Sequence, residues 1–122
     1  MVLANYYEAT ARFPTTTAPL TGDFRCDVAI IGAGMTGCSA ALHLAERGYR
    51  VAVLEARHIG FGASGRNGGQ ALPGFAADQT KIRRLVGPQA AKSLWDMTVE
   101  AVTLLHAQID RFAIPCDPQR GY

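Results

Sequence analysis

The chain has 122 residues, of which 48% are hydrophobic and 18% charged, so it holds enough apolar material for one folded core. Twelve basic and ten acidic residues leave a formal charge of +2, too near balance to indicate a nucleic-acid or membrane-surface partner. No segment reaches the roughly 18 continuous apolar residues of a membrane span. Three widely spaced cysteines without metal-ligand spacing indicate a reduced, cytoplasmic protein with no metal site.

The first segment of the chain, residues 1–24, is polar and contains the Pro/Thr-rich stretch PTTTAP. This composition predicts an arm lying on a domain rather than part of its core. The domain itself is predicted to cover residues 25–122.

A strand, a helix and a second strand follow. CDVAII (26–31) is β-branched and almost continuously apolar, which predicts a parallel strand buried on both faces. Residues 35–47 are rich in Ala and Leu and predict a helix that ends at Gly48, with Cys38 packed toward the sheet. YRVAVLE (49–55) predicts the second strand. The three elements together have the length of a parallel crossover unit.

Two further helices are predicted beyond residue 77. Asp78 is placed to cap a short helix, and Pro88 is placed at the first position of a longer one. Apolar residues recur along the longer helix at steps of three or four, namely Leu94, Met97, Ala101, Leu105, Ile109 and Phe112. Trp95 and Met97 are therefore predicted to pack in the core.

A glycine turn joins the first strand to the first helix. Gly32, Gly34 and Gly37 form G-x-G-x-x-G, in which the glycines permit a tight turn, approach of a pyrophosphate and close helix packing. The helix N-terminus adds free N–H groups for phosphates. Glu55 ends the next strand roughly 20 residues later, where an acid accepts ribose hydroxyls and repels a 2′-phosphate. This unit predicts a dinucleotide site and suits NAD and FAD alike.

The loop after Glu55, in VLEARHIGFGASGRNGGQ (53–70), is dense in small residues, so its backbone can approach a ligand closely. Ser64 can bond a phosphate or ribityl oxygen, Arg66 adds a positive charge, and Asn67 adds an amide. Such a loop favours a cofactor that continues past its pyrophosphate, as FAD does.

The segment from residue 26 to residue 70 resembles the N-terminal FAD-binding segment of D-amino-acid oxidase-like flavoprotein oxidoreductases, of the glycine oxidase and DadA type. The blocks NYYEATA, IGFGASGRNGGQ and IPCD are most similar to a bacterial amine-oxidising branch. The resemblance implies an α/β fold: a Rossmann-like FAD-binding βαβ unit followed by helices. It also implies that the chain is an incomplete N-terminal fragment of a two-domain flavoenzyme, without the substrate domain.

The resemblance implies roles for particular positions. Met35 and Thr36 lie over the pyrophosphate in such proteins, and Glu55 and Ala56 hold the adenosine ribose. The loop positions that line the path toward the flavin ring are Ala63, Ser64, Gly68, Gly69 and Gln70. No residue is identified as catalytic, because the three histidines have no acid or nucleophile at an interpretable spacing.

The activity implied by the resemblance is oxidation of the C–N bond of a small-molecule amine or amino acid, with hydride transfer to FAD. The isolated chain is expected to be inactive. Two alternatives stay open: a truncated, inert dinucleotide-binding remnant, and an NAD-dependent dehydrogenase fragment. The final residues, IPCDPQRGY, look like a strand or turn that begins where the chain stops, which favours the remnant. The loop after Glu55 argues against the dehydrogenase.

Overall fold

The structure is a computed structural model that describes residues 6–11, 17–119 and 121. The chain divides into two compact units, Met1–Gly68 and Gly69–Tyr122. Residues 1–5 and 12–16 of the predicted arm lie outside the described residues. The division of the sequence into an arm and one domain stays a prediction.

The first unit contains a short helix α1 (Tyr6–Thr10), strand β1 (Val28–Ile31), helix α2 (Met35–Glu46) and strand β2 (Val51–Leu54). The two strands pair in parallel, in a register that sets the first residues of each opposite one another. Helix α2 packs on both strands. The predicted strand–helix–strand crossover and the α/β class are therefore confirmed.

An ion pair clamps the starting ends of the two strands. The Arg50 guanidinium lies 2.9 Å from Asp27 Oδ1, and the Arg50 backbone N–H donates to Asp27 Oδ2 at 2.8 Å. In return, the Asp27 N–H donates to the Arg50 carbonyl at 2.8 Å. These bonds hold the pKa of Asp27 below its usual value, chiefly through the Arg50 side chain. The clamp fixes the register, so the strands end at the same level where the glycine turn begins.

Burial of the first unit is lower than the sequence indicates. Burial alternates along β1, and Ile31 at its end is 80% exposed, so the prediction of a strand buried on both faces is wrong. Cys38 is exposed rather than packed against the sheet. The physical reason is the size of the sheet: in the described part of the chain it has two strands, and one helix covers one of its faces.

The second unit contains two helices, α3 (Gln79–Val86) and α4 (Pro88–Arg111). Asp78 caps α3, as predicted, by accepting the Lys81 backbone N–H at 2.9 Å. Gly87, with φ of 82°, separates the helices, and α4 begins with its proline at the first turn, also as predicted. Among the described residues, no helix combines the length and the hydropathy needed to cross a bilayer.

The two helices of the second unit meet along a small interface that buries Ile82 and Ala91. Trp95 is 39% exposed and Met97 is 60% exposed, so the prediction that both pack in a core is wrong. The short helix α3 is the element that packs on α4 in the described chain, and it covers one side of that longer helix. Residues 114–119 contain no strand.

Candidate functional site

The glycine turn lies between the end of β1 and the start of α2. Gly32 has φ of 98°, a left-handed conformation that favours glycine, and its N–H donates to the Leu54 carbonyl of β2 at 2.7 Å. At Gly37 a side chain has no room, because a Cβ would overlap the Gly32 carbonyl oxygen. The first and third glycines of the motif are thus both required by this backbone geometry.

The N-terminus of α2 presents backbone donors at this turn. Gly34 caps the helix without a side-chain hydrogen bond, and the Met35 N–H donates to the Ser64 hydroxyl at 3.0 Å. Within the described part of the chain, the N–H groups of Thr36 and Gly37 have no acceptor. Two free donors and the positive end of the helix dipole make this position suitable for a phosphate.

Glu55 lies directly after β2 and faces the same turn. Its Oε2 accepts the Ala33 N–H at 2.8 Å, and its Oε1 accepts the Arg57 N–H at 2.9 Å. These two bonds, first that from Ala33, hold the pKa of Glu55 below its usual value, so the carboxylate is ionised at neutral pH. A carboxylate has about four acceptor positions, so both oxygens can still accept ligand hydroxyls.

The loop after Glu55 folds back on the glycine turn. The Gly60 N–H donates to the Ala33 carbonyl at 2.9 Å, and residues Ala63–Gly65 form a single 3-10 turn. Gly65 lies so close to the Gly60 carbonyl that a Cβ would overlap it. The loop is therefore held by backbone contacts, and it brings Ser64 to the start of α2.

The loop side chains form a cation–aromatic cluster that sequence reasoning missed in part. The guanidinium carbons of Arg66 and Arg57 lie 4.9 and 5.6 Å from the Phe61 ring centroid. Asn67 Nδ2 donates to the Ser64 carbonyl at 2.8 Å. Phe61 and Arg57 were not predicted to take part, although a single aromatic residue in a loop of small residues was an available signal.

His58 has an acid neighbour that its position in the sequence does not reveal. Its Nε2 lies 2.6 Å from Oε1 of Glu8 in α1, and its ring meets Phe61 edge to face at 5.0 Å. The geometry at His58 Nε2 does not meet hydrogen-bond criteria toward any described residue, so the two side chains are in contact without a directed bond. Glu8 comes from a distant helix, so only the fold brings the two together.

A cleft of about 600 Å³ adjoins Glu55 within the first unit. It is lined by Thr17–Thr21, Phe24 and Ala52–Arg57, which includes Ala56. This volume lies in the range of small-ligand sites.

The structure brings several of the sequence-predicted residues together around α2. Glu55 bonds the glycine turn, Ser64 bonds the helix start, and Ala63, Arg66 and Asn67 follow within the same loop. Gly68 ends the first unit and is exposed. Gly69 and Gln70 open the second unit, and their part in a site stays a prediction.

The first unit has the features of a dinucleotide-binding βαβ unit. These features are a strand, a glycine turn at a helix N-terminus, and an ionised acid at the end of the adjacent parallel strand. The family model described as "FAD dependent oxidoreductase" matches residues 27–122. The chain belongs to this family, whose cofactor is FAD. The resemblance inferred from the sequence is confirmed.

The curated relatives agree with the family. The chain is 46% identical over 104 residues to the probable oxidoreductase OrdL of Haemophilus influenzae, covering 85% of this chain and 24% of the relative. It is 42% identical over 118 residues to the gamma-glutamylputrescine oxidoreductase of Escherichia coli, and this match covers 97% of this chain and 28% of the relative. The chain thus spans about a quarter of the length of these relatives. No solved structure gives a significant match.

Proposed function

We propose that the chain is the FAD-binding part of an oxidoreductase that oxidises the C–N bond of an amine or amino acid, with a gamma-glutamylputrescine-like substrate. The bond from the Ala33 N–H to Glu55 carries the cofactor part of this proposal, since it holds an ionised acceptor beside the phosphate-binding turn. The likeness to the gamma-glutamylputrescine oxidoreductase supports the substrate part.

The residues of the site fit FAD. The free N–H groups of Thr36 and Gly37, with the backbone at Gly34 and Met35, suit the pyrophosphate. Glu55 suits the adenosine ribose, whose hydroxyls its remaining lone pairs accept. Ala56 is placed beside it in the adjoining cleft. The proposed cofactor-binding residues in the glycine turn are Gly32, Gly34, Met35, Thr36 and Gly37.

The loop residues form the second part of the proposed site. They are Ala63, Ser64, Arg66, Asn67, Gly68, Gly69 and Gln70, and they line the path toward the flavin ring. At the glycine, alanine and serine positions the small side chains let the ligand approach the main-chain N–H groups closely. Arg66 adds positive charge to this loop.

In the proposed reaction, a hydride leaves the carbon next to the substrate nitrogen, and water hydrolyses the resulting imine to a carbonyl. Bound FAD supplies the hydride acceptor. This chain's own residues bind and orient: Glu55 holds one end of the cofactor, and the N–H groups at the start of α2 donate hydrogen bonds to the phosphates. No residue of this chain is assigned a proton-transfer role.

The choice of cofactor is tested by titrating the chain with FAD, NAD and NADP. Flavin fluorescence measures the binding of FAD, and equilibrium dialysis measures the binding of NAD and NADP. Tightest binding of FAD is expected. Tighter binding of NAD would favour the dehydrogenase alternative, and the absence of binding by all three would favour the inert remnant.

The substrate and the state of the natural protein are tested separately. Native mass spectrometry of the protein from its own source is expected to show a chain heavier than 13.0 kDa with one FAD. That protein is expected to consume gamma-glutamylputrescine, whereas the 122-residue chain is expected to show no turnover. A flavin-loaded natural protein that oxidises no amine would overturn the substrate proposal.

A further inference from the structure

A groove runs between α3 and α4 in the second unit, and none of its lining residues is proposed to hold the cofactor. Its volume is about 560 Å³, which is in the range of small-ligand sites. Gln79 and Arg83 of α3 line one side, and Pro88, Lys92 and Trp95 of α4 line the other. The groove is thus built from two facing helix surfaces.

The two walls are held together by buried contacts. The Gln79 side-chain amide donates to the Ala91 carbonyl of α4 at 3.0 Å, and this bond is partly buried. Ile82 and Ala91 are buried where the helices meet. Because these contacts fix the helices against each other, the groove does not have to be formed by its ligand.

Trp95 and Pro88 give the groove flat apolar surfaces. Trp95 is 39% exposed, so part of its surface is open to a ligand. Flat rings of this kind favour an aromatic ring as the apolar part of a ligand.

Two basic side chains, Arg83 and Lys92, line the groove, and no acidic residue is among its lining residues. Lys92 is already paired, with its Nζ 2.6 Å from Asp96 Oδ2, so it contributes mainly its alkyl stem. Arg83 has no ion pair with any acid in the described ranges. Its planar guanidinium suits a carboxylate, which it can bind through two parallel hydrogen bonds.

We propose that this groove binds a small aromatic carboxylate, with the ring against Trp95 and Pro88 and the carboxylate on Arg83. The Arg83 guanidinium selects the anion, and the apolar surfaces of Trp95 and Pro88 select the ring. The proposal concerns the second unit alone and does not depend on the function proposed for the first.

Trp95 is the single tryptophan of the chain, so its fluorescence reports directly on the groove. The chain is titrated with sodium phenylacetate, and phenylacetamide and sodium acetate serve as the neutral and the ring-free controls. Saturable binding of phenylacetate is expected, at least about tenfold tighter than either control. Equal binding of the amide would overturn the role of charge, and equal binding of acetate would overturn the role of the ring.

Two variants of the same helix separate the groove from general electrostatics. Arg83→Gln is expected to weaken phenylacetate binding at least about tenfold, whereas Arg84→Gln removes an equal charge outside the groove and is expected to change it less than about twofold. Equal losses in both variants would overturn the proposal.

If circular dichroism shows that Arg83→Gln does not fold, Arg83→Lys is used to test the proposal instead. This variant keeps the positive charge but loses the paired hydrogen bonds, so it should still weaken phenylacetate binding. Hexaglutamate that binds more tightly than phenylacetate would instead assign the groove to an acidic protein segment.

Discussion

The carboxylate of Glu55 accepts the backbone N–H of Ala33 with 2.8 Å between Oε2 and the nitrogen, across 22 positions of sequence. The bond joins the end of β2 to the turn after β1. It therefore holds the acid beside the glycine turn, where the proposed ribose contact requires it.

Replacing Glu55 is expected to weaken the binding of FAD. Glu55→Gln removes the charge from both hydrogen bonds to the turn and from the proposed ribose contact, so the Kd for FAD should rise about tenfold or more at neutral pH. Glu100→Gln, on the exposed surface of α4, is the matched control and should leave the Kd unchanged. Equal affinities of the two variants in a flavin fluorescence titration would contradict the assignment of Glu55.

The close approach of Gly37 to Gly32 predicts a sharp difference between two variants of α2. Gly37→Ala places a methyl group on the Gly32 carbonyl oxygen, and it should lower the free energy of unfolding by about 1–3 kcal/mol and abolish FAD binding. Ser39→Ala is the control, since Ser39 lies exposed on the same helix and its replacement adds no atom to the turn. Its unfolding free energy, measured in urea, should stay within about 0.5 kcal/mol of the parent.

Ser64 links the loop to the first helix, and its removal should affect binding moderately. Ser64→Ala leaves the Met35 N–H without its acceptor and removes one proposed ligand contact, so FAD affinity should fall about threefold to tenfold. Ser93→Ala removes a comparable hydroxyl from α4, where it bonds the Gln89 carbonyl, and should not change FAD affinity. An unchanged Kd for Ser64→Ala would remove this residue from the proposed site.

The clamp between Asp27 and Arg50 predicts a loss of stability in acid. Because the folded pKa of Asp27 is below its ordinary value of 3.8, its contribution is fully present above 3.8 and is lost as the pH falls through the lower folded value. Asp27→Asn should therefore flatten the fall of the urea midpoint as the pH is lowered below about 5. The variant keeps the share of the pH dependence that comes from Glu55, whose pKa is also lowered. Identical curves of urea midpoint against pH for parent and variant would contradict the clamp.

The order of elements could be predicted from local signals in the sequence. The β-branched run before Gly32, the cap at Asp78 and the proline at 88 each act within a few residues, and the structure confirms each element they indicate. Glu55 was placed at the end of the second strand from its spacing, and in the structure it lies there and bonds the glycine turn, whereas its role toward a ribose stays a prediction.

Burial and long-range contacts could not be predicted in this way. Apolar periodicity shows which face of a helix prefers a core, but Trp95 and Met97 are exposed because little of the described chain packs on α4. The approach of Glu8 to His58 and the Arg57–Phe61 contact depend on how distant or irregular segments fold back, which spacing does not encode.

The Ala33 peptide is bonded on both sides, through its N–H to Glu55 and through its carbonyl to Gly60. A turn restrained in this way has little conformational entropy left to lose when a ligand binds. Its affinity for the ligand is therefore reduced little by the entropic cost of ordering its backbone. We therefore expect the Ala33 amide to exchange with solvent deuterium more slowly in the parent chain than in Glu55→Ala, because Ala33 is 3% exposed and its N–H is bonded to the Glu55 carboxylate.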